Sequence, residues 1–126
     1  MNTKKKGDVG LAHAVSYFGH KGMTVCLPLT DSQDYDLVVD TGPALQKVQV
    51  KMTSYQRNDN YVVEVAGRGG TKGGVYKKLP EFVFDLLFVY VASGDCYLIP
   101  KDKLSGCTRL TSKYDEYKVW RIGSIF

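Results

Sequence analysis

The sequence predicts an α/β or α+β sandwich, a helix followed by the strands of a mixed sheet. Three stretches carry that expectation. Thr3–His20 repeats apolar residues at helical spacing, Tyr35–Thr53 alternates them on both sides of a turn, and Leu86–Ala92 is almost wholly apolar. An amphipathic helix, a half-buried hairpin and a strand buried on both faces are the elements those patterns describe. At 126 residues the chain reads as one domain spanning 1–126. Its 44% hydrophobic content and nine tyrosines indicate a folded globule rather than disorder.

The helix opens with Asn2 or Thr3 placed to cap it and ends near Gly19 and Gly22. Leu11, Ala14, Val15 and Phe18 form its buried stripe. Asp8 stands one turn before Leu11, at the edge of that stripe, where it can either help hold a metal or simply favour the positive end of the helix dipole. Lys4, Lys5 and Lys6 are placed to touch phosphates or to be solvated. Met23–Leu29 reads as a short strand interrupted by Pro28, hence an edge strand or a strand end. Thr30–Gln33 is a polar loop that puts Ser32 and Gln33 beside the next strand, within reach of a substrate held there.

That strand, Tyr35–Asp40, places Asp36, Val38 and Asp40 on one face and Leu37 and Val39 on the other. Thr41-Gly42-Pro43-Ala44 supplies the turn. On the returning strand Val48, Val50 and Met52 point one way, and Lys47, Gln49 and Lys51 the other. A solvated strand face is the more economical account of three such polar residues taken alone. The particular set nevertheless suits Mg²⁺, which takes hard oxygen ligands and keeps several waters; Mn²⁺ can substitute. Asp36 offers a carboxylate, Gln49 a side-chain carbonyl and Val50 a backbone carbonyl. The Lys51 ammonium lies on the same face, able to orient a water or offset negative charge.

Beyond Lys51 the strand runs through Thr53 and Tyr55 to a turn at Arg57–Asn60, and Tyr61–Val65 is expected to be a third strand of the same meander. Gly67–Gly74 then packs five glycines around Arg68 and Lys72. No strand-to-helix phosphate-loop order accompanies them. A plain flexible loop is one reading. The other is a loop that orders over DNA, with Arg57, Arg68, Lys72, Lys77 and Lys78 meeting phosphates. Leu79–Phe82 is expected to be a turn or a single helical turn, Ser93-Gly94-Asp95 a hairpin turn into Cys96–Ile99, and Pro100–Leu104 a short helix. The tail after Gly106 interleaves Tyr114, Tyr117 and Trp120 with charge, and either packs on the domain or forms a subunit interface.

Net charge is +4, from 17 Lys and Arg against 13 Asp and Glu, which a polyanionic partner would accept but which does not require one. No apolar run approaches the ~20 residues of a membrane span, and no secretory signal is legible, so a cytoplasmic location is expected. Cys26, Cys96 and Cys107 lack metal-site spacing and fit a reducing compartment.

Four stretches, in order, resemble the PD-(D/E)XK nuclease superfamily, and within it the group I intron-associated homing endonucleases. They are G-D-V-G-L-A-H-A-V-S-Y-F, P-L-T-D-S-Q-D-Y-D-L-V-V-D, V-Q-V-K and D-L-L-F-V-Y-V-A-S-G-D-C-Y-L-I-P. The resemblance covers all but the last dozen or so residues. It implies a restriction-endonuclease-like core, a central mixed sheet flanked by helices. It makes Asp36 the metal-binding aspartate and Lys51 the catalytic lysine. Gln49 stands where the superfamily usually has Asp or Glu, and Leu11 where many members carry a helix glutamate. The expected activity is metal-dependent hydrolysis of double-stranded DNA. So small a domain cutting both strands of a long site needs symmetry, so a homo-oligomer, dimer or tetramer, is expected. A junction-resolving nuclease and a DNA-binding module with a decayed site are the alternatives.

Overall fold

A computed structural model of the chain describes residues 2–65, 67–68, 76–77, 82–104, 109–111 and 121–124. It begins with α1 (Thr3–His20), whose Asn2 side chain accepts the Lys5 backbone N–H at 2.9 Å. The helix ends at Lys21, after which Gly22 takes φ of 78°, a conformation that favours glycine. Six strands follow in one sheet: β1 (Thr24–Cys26), β2 (Leu37–Asp40), β3 (Leu45–Thr53), β8 (Leu86–Val91), β9 (Asp95–Pro100) and β11 (Arg121–Ser124). They lie side by side in that order. Neighbours are antiparallel except β3 and β8, which run parallel at the centre with Val50 opposite Phe88. The sheet is therefore mixed, as expected.

Side-chain alternation along β3 and β8 divides the core into two layers. On one face α1 lays Ala14 and Phe18 against Leu37, Val39, Val48, Phe88, Tyr90 and Cys96. Val50 and Met52 extend that layer under the helix. On the other face Leu87, Val89, Val91, Tyr97 and Ile99 pack with Val63, Val65, Phe84 and Leu104. Ring centroids of Phe18 and Phe88 are 6.1 Å apart, and Tyr17 lies 5.9 Å from Phe88.

One expectation is corrected. The strand after the β3 turn does not extend the meander. β4 (Gln56–Arg57) and β5 (Asn60–Glu64) leave the main sheet and pair with β10 (Arg109–Thr111) in a separate three-stranded sheet, ordered β10-β5-β4. Asn58 and Asp59, with φ of 52° and 63°, make the two-residue turn that reverses β4 into β5. Thr53 is the pivot: it is buried, and its hydroxyl donates to the Val62 carbonyl at 2.9 Å. The small sheet thus covers the face of the main sheet turned away from α1. Period-2 alternation names the strand but not its partner. The tail also contributes strands, β10 and β11, where its charge and aromatics gave no alternation to read.

The remaining elements are brief. β6 (Gly67–Arg68) and β7 (Tyr76–Lys77) form a short antiparallel pair, and Lys101–Leu104 is a 3-10 turn. No helix among the described residues is long and apolar enough to cross a membrane.

Helix and sheet approach closely at Gly10. A Cβ there would lie 3.0 Å from Met52 Cβ and 3.3 Å from Val50 Cγ1. Gly10→Ala requires α1 and the strand that carries Gln49 and Lys51 to part by a few tenths of an ångström. The variant should lose about 1–3 kcal/mol of stability, read as a lower urea midpoint at unchanged slope.

Candidate active site

The β2–β3 hairpin builds the site. Leu37 pairs with Val48 and Asp40 with Leu45, while at the tip Gly42 takes φ of 94° and donates its N–H to Asp40 Oδ1 at 2.9 Å. Asp40 therefore serves the turn. At the open end Asp36 donates its backbone N–H to the Val48 carbonyl at 2.9 Å. Its Oδ2 accepts the Val50 N–H at 2.7 Å and faces Gln49 Nε2 at 3.4 Å. That leaves Oδ1 as the carboxylate oxygen available to a cation.

Residue Asp36 as a whole keeps an exposed surface, yet its carboxyl is set down against β3. Desolvation there pushes its pKa above the ordinary carboxylate range, and the Val50 N–H and the Lys51 ammonium pull it partly back. A carboxyl that holds its proton more tightly folded than unfolded adds stability below the unfolded pKa and loses it as pH rises through the folded one. Asp36→Asn should therefore raise the melting temperature of the metal-free protein at neutral pH. The advantage should shrink as the pH is lowered into the acid range, a trend that melts in EDTA across pH would show.

Gln49 and Lys51 are half-buried on the same face of β3, opposite Val48, Val50 and Met52. Asp36, Gln49, Val50 and Lys51 are thus brought together. Turning the Gln49 amide over presents its Oε1 beside Asp36. One carboxylate, one amide oxygen and one backbone carbonyl form a hard, weakly charged donor set that suits Mg²⁺ retaining waters. Among the described residues no group of three or more His, Cys, Asp or Glu converges.

Asp8 is exposed on α1, over the far face of β3, and no hydrogen bond or ion pair among the described residues joins it to Asp36, Gln49 or Lys51. Leu11, where the resemblance leads one to expect a helix glutamate, packs into the helix-side core. Lys4 and Lys5 are exposed and Lys6 half-buried in the first turn of α1, which carries no acidic residue. Three cations at the positive end of a helix dipole oppose it. Ser32 is exposed, whereas Gln33 closes its own loop, donating Nε2 to the Thr30 carbonyl and accepting the Thr30 hydroxyl. Arg57 is exposed beside the tight turn. The backbone of Arg68 and Lys77 lies in the β6–β7 pair, while Lys72 and Lys78 fall outside the described residues.

Two contributors escaped the sequence reading. Gly10 carries no signal except its place one residue before the apolar stripe. Asp85 exchanges backbone contacts with Lys47: its N–H donates to the Lys47 carbonyl at 2.9 Å, and its Oδ2 accepts the Lys47 N–H at 2.9 Å. That fixes the start of β8 against β3.

A mixed sheet with a helix packed on β3, and a β-hairpin that holds the Asp36 carboxyl within the field of the Lys51 ammonium, is the arrangement of a restriction-endonuclease-like fold. The profile of the PD-(D/E)XK endonuclease family matches residues 1–115, and the chain belongs to that family. Among solved structures it is similar to the bacterial homing endonuclease I-Ssp6803I, at 25% identity and a TM-score of 0.75. The alignment covers 96% of this chain and 89% of that one. No curated protein matches.

Proposed function

We propose that this endonuclease hydrolyses phosphodiester bonds in double-stranded DNA with Mg²⁺, Mn²⁺ substituting, and that it acts as a site-specific homing endonuclease. The observation that carries the reading is Asp36, its carboxyl oriented by the Val50 N–H and lying within the field of Lys51. The similarity to I-Ssp6803I supports the homing role.

Asp36 Oδ1, Gln49 Oε1 and the Val50 carbonyl would hold the metal. When bound, it supplies charge neutralisation at phosphorus and a water of lowered pKa. The chain's own groups do the rest. Lys51 Nζ donates to the attacking water or to a non-bridging oxygen as negative charge develops there. The Val50 N–H keeps Asp36 from rotating away. Lys4, Lys5 and Lys6 remain near the helix N-terminus although the dipole disfavours them, which supports a role in meeting phosphates. Ser32, Gln33, Arg57, Arg68, Lys72, Lys77 and Lys78 would extend that contact, and a homo-oligomer, dimer or tetramer, would place two sites on one duplex. The expected location is cytoplasmic.

Incubation of duplex pools and four-way junctions with Mg²⁺ tests this reading, with Lys51→Ala and an EDTA control alongside. Discrete duplex products from wild type alone support it. Preferential cutting of junctions would make the enzyme structure-selective. Equal DNA binding by wild type and Lys51→Ala without any cleavage would leave a binding module.

A further inference from the structure

Strand alternation alone would send Asp34 and Asp36 to the same side and offer two carboxylates to one metal. The structure gives the two carboxylates different partners. Asp34 Oδ2 accepts the Val83 backbone N–H at 2.8 Å, from a segment 49 residues further along the chain. Tyr35, next in line, packs into the core on the face away from α1, with the Lys47 ammonium 5.6 Å from its ring centroid. Asp36 then donates its N–H to the Val48 carbonyl. Three consecutive residues fasten the approach to β2 at three places.

Val83 is itself a fixed donor. Its neighbour Asp85 is tied to Lys47 through two hydrogen bonds of 2.9 Å, and its carbonyl accepts the Lys101 N–H, also at 2.9 Å. The Lys101 ammonium donates to the Phe82 carbonyl and lies 5.3 Å from the Phe84 ring centroid. Residues 82–85 are therefore anchored to β3, the strand that carries Gln49 and Lys51. The Asp34 carboxylate closes a loop of contacts running from β3 through 82–85 and back to Asp36.

We propose that Asp34 is a positioning residue, a clamp that sets where the Asp36 carboxyl meets Gln49 and Lys51, and not a metal ligand. Its effect on cleavage rests on the nuclease reading above; its effect on the hairpin does not.

Amide hydrogen exchange on the full chain, without metal or DNA, compares wild type with Asp34→Ala and Asp34→Asn. In Asp34→Ala the Val83 and Asp36 amides should both lose protection, by roughly tenfold, and Asp34→Asn, which keeps an acceptor oxygen, should restore most of it. Loss at Val83 alone, or at neither amide, overturns the clamp. In parallel cleavage assays Asp34→Ala should lower kcat on the order of 10–100-fold with KM for DNA near wild type, and Asp34→Asn should recover most of it. Equal losses in both variants would assign Asp34 a charge role and also overturn the proposal. If wild type cuts no DNA, the nuclease reading fails, and the exchange data still decide the clamp.

Discussion

Asp36→Ala should lower DNA cleavage on the order of 100–1000-fold while leaving DNA affinity close to wild type. The carboxyl is the charged oxygen donor that meets Gln49 and Val50, which offer an amide and a backbone carbonyl, and among the described residues no group of three or more His, Cys, Asp or Glu is placed to hold a metal. A site with one charged ligand has no second carboxylate to hold a cation when the first is removed. Raising Mg²⁺ or Mn²⁺ should therefore rescue little activity. Single-turnover cleavage over a metal titration measures both effects. Substantial rescue at high metal concentration would show that Asp36 is dispensable as a ligand.

The second large effect concerns stability. Phe88 is wholly buried at the centre of the sheet, against Tyr17 and Phe18 of the helix and opposite Val50 in the parallel register. Phe88→Ala should cost about 3–5 kcal/mol, since the surrounding strands cannot collapse into the space left behind. That is a large part of the stability of a domain this size. Because Phe88 backs the strand that carries Gln49 and Lys51, activity should vanish at lower temperature, in step with the melting transition. Denaturant unfolding of the variant measures the loss directly. A loss below about 1 kcal/mol would mean that the core repacks around the gap.

Local chemistry accounts for what the sequence made legible. The bounds of α1 followed from an Asn or Thr cap, of which Asn2 is the one used, and from Gly22 just past its end, although Gly19 lies within its last turn; β2 and β3 followed from alternation around a Gly-Pro turn. The central position of β8 followed from a run with no polar face. Asp36, Gln49 and Lys51 were legible together because alternation and register are both local across a tight hairpin. What stayed hidden is non-local. Nothing in Tyr61–Val65 distinguishes a strand that continues a meander from one that turns away to pair with β10. Nothing in D-Y-D says that the first aspartate answers to Val83. Gly10 looks like any helix glycine until Met52 is placed against it.

The parallel pairing of β3 with β8 bears on how the enzyme comes to be folded. The β2–β3 hairpin closes over a four-residue turn, so its pairing can form quickly and early in synthesis. β8 joins β3 only after the chain from 54 to 85 has been made and has travelled back to the same end of the sheet, and that long closure is slow. Asp36, Gln49 and Lys51 are thus neighbours before β8 arrives to complete the sheet beside them. During that interval the edge of β3 that later pairs with β8 lies open and offers itself to any other strand. Refolding at high protein concentration should suffer most in this window, and the yield of active enzyme should depend on how soon β8 arrives.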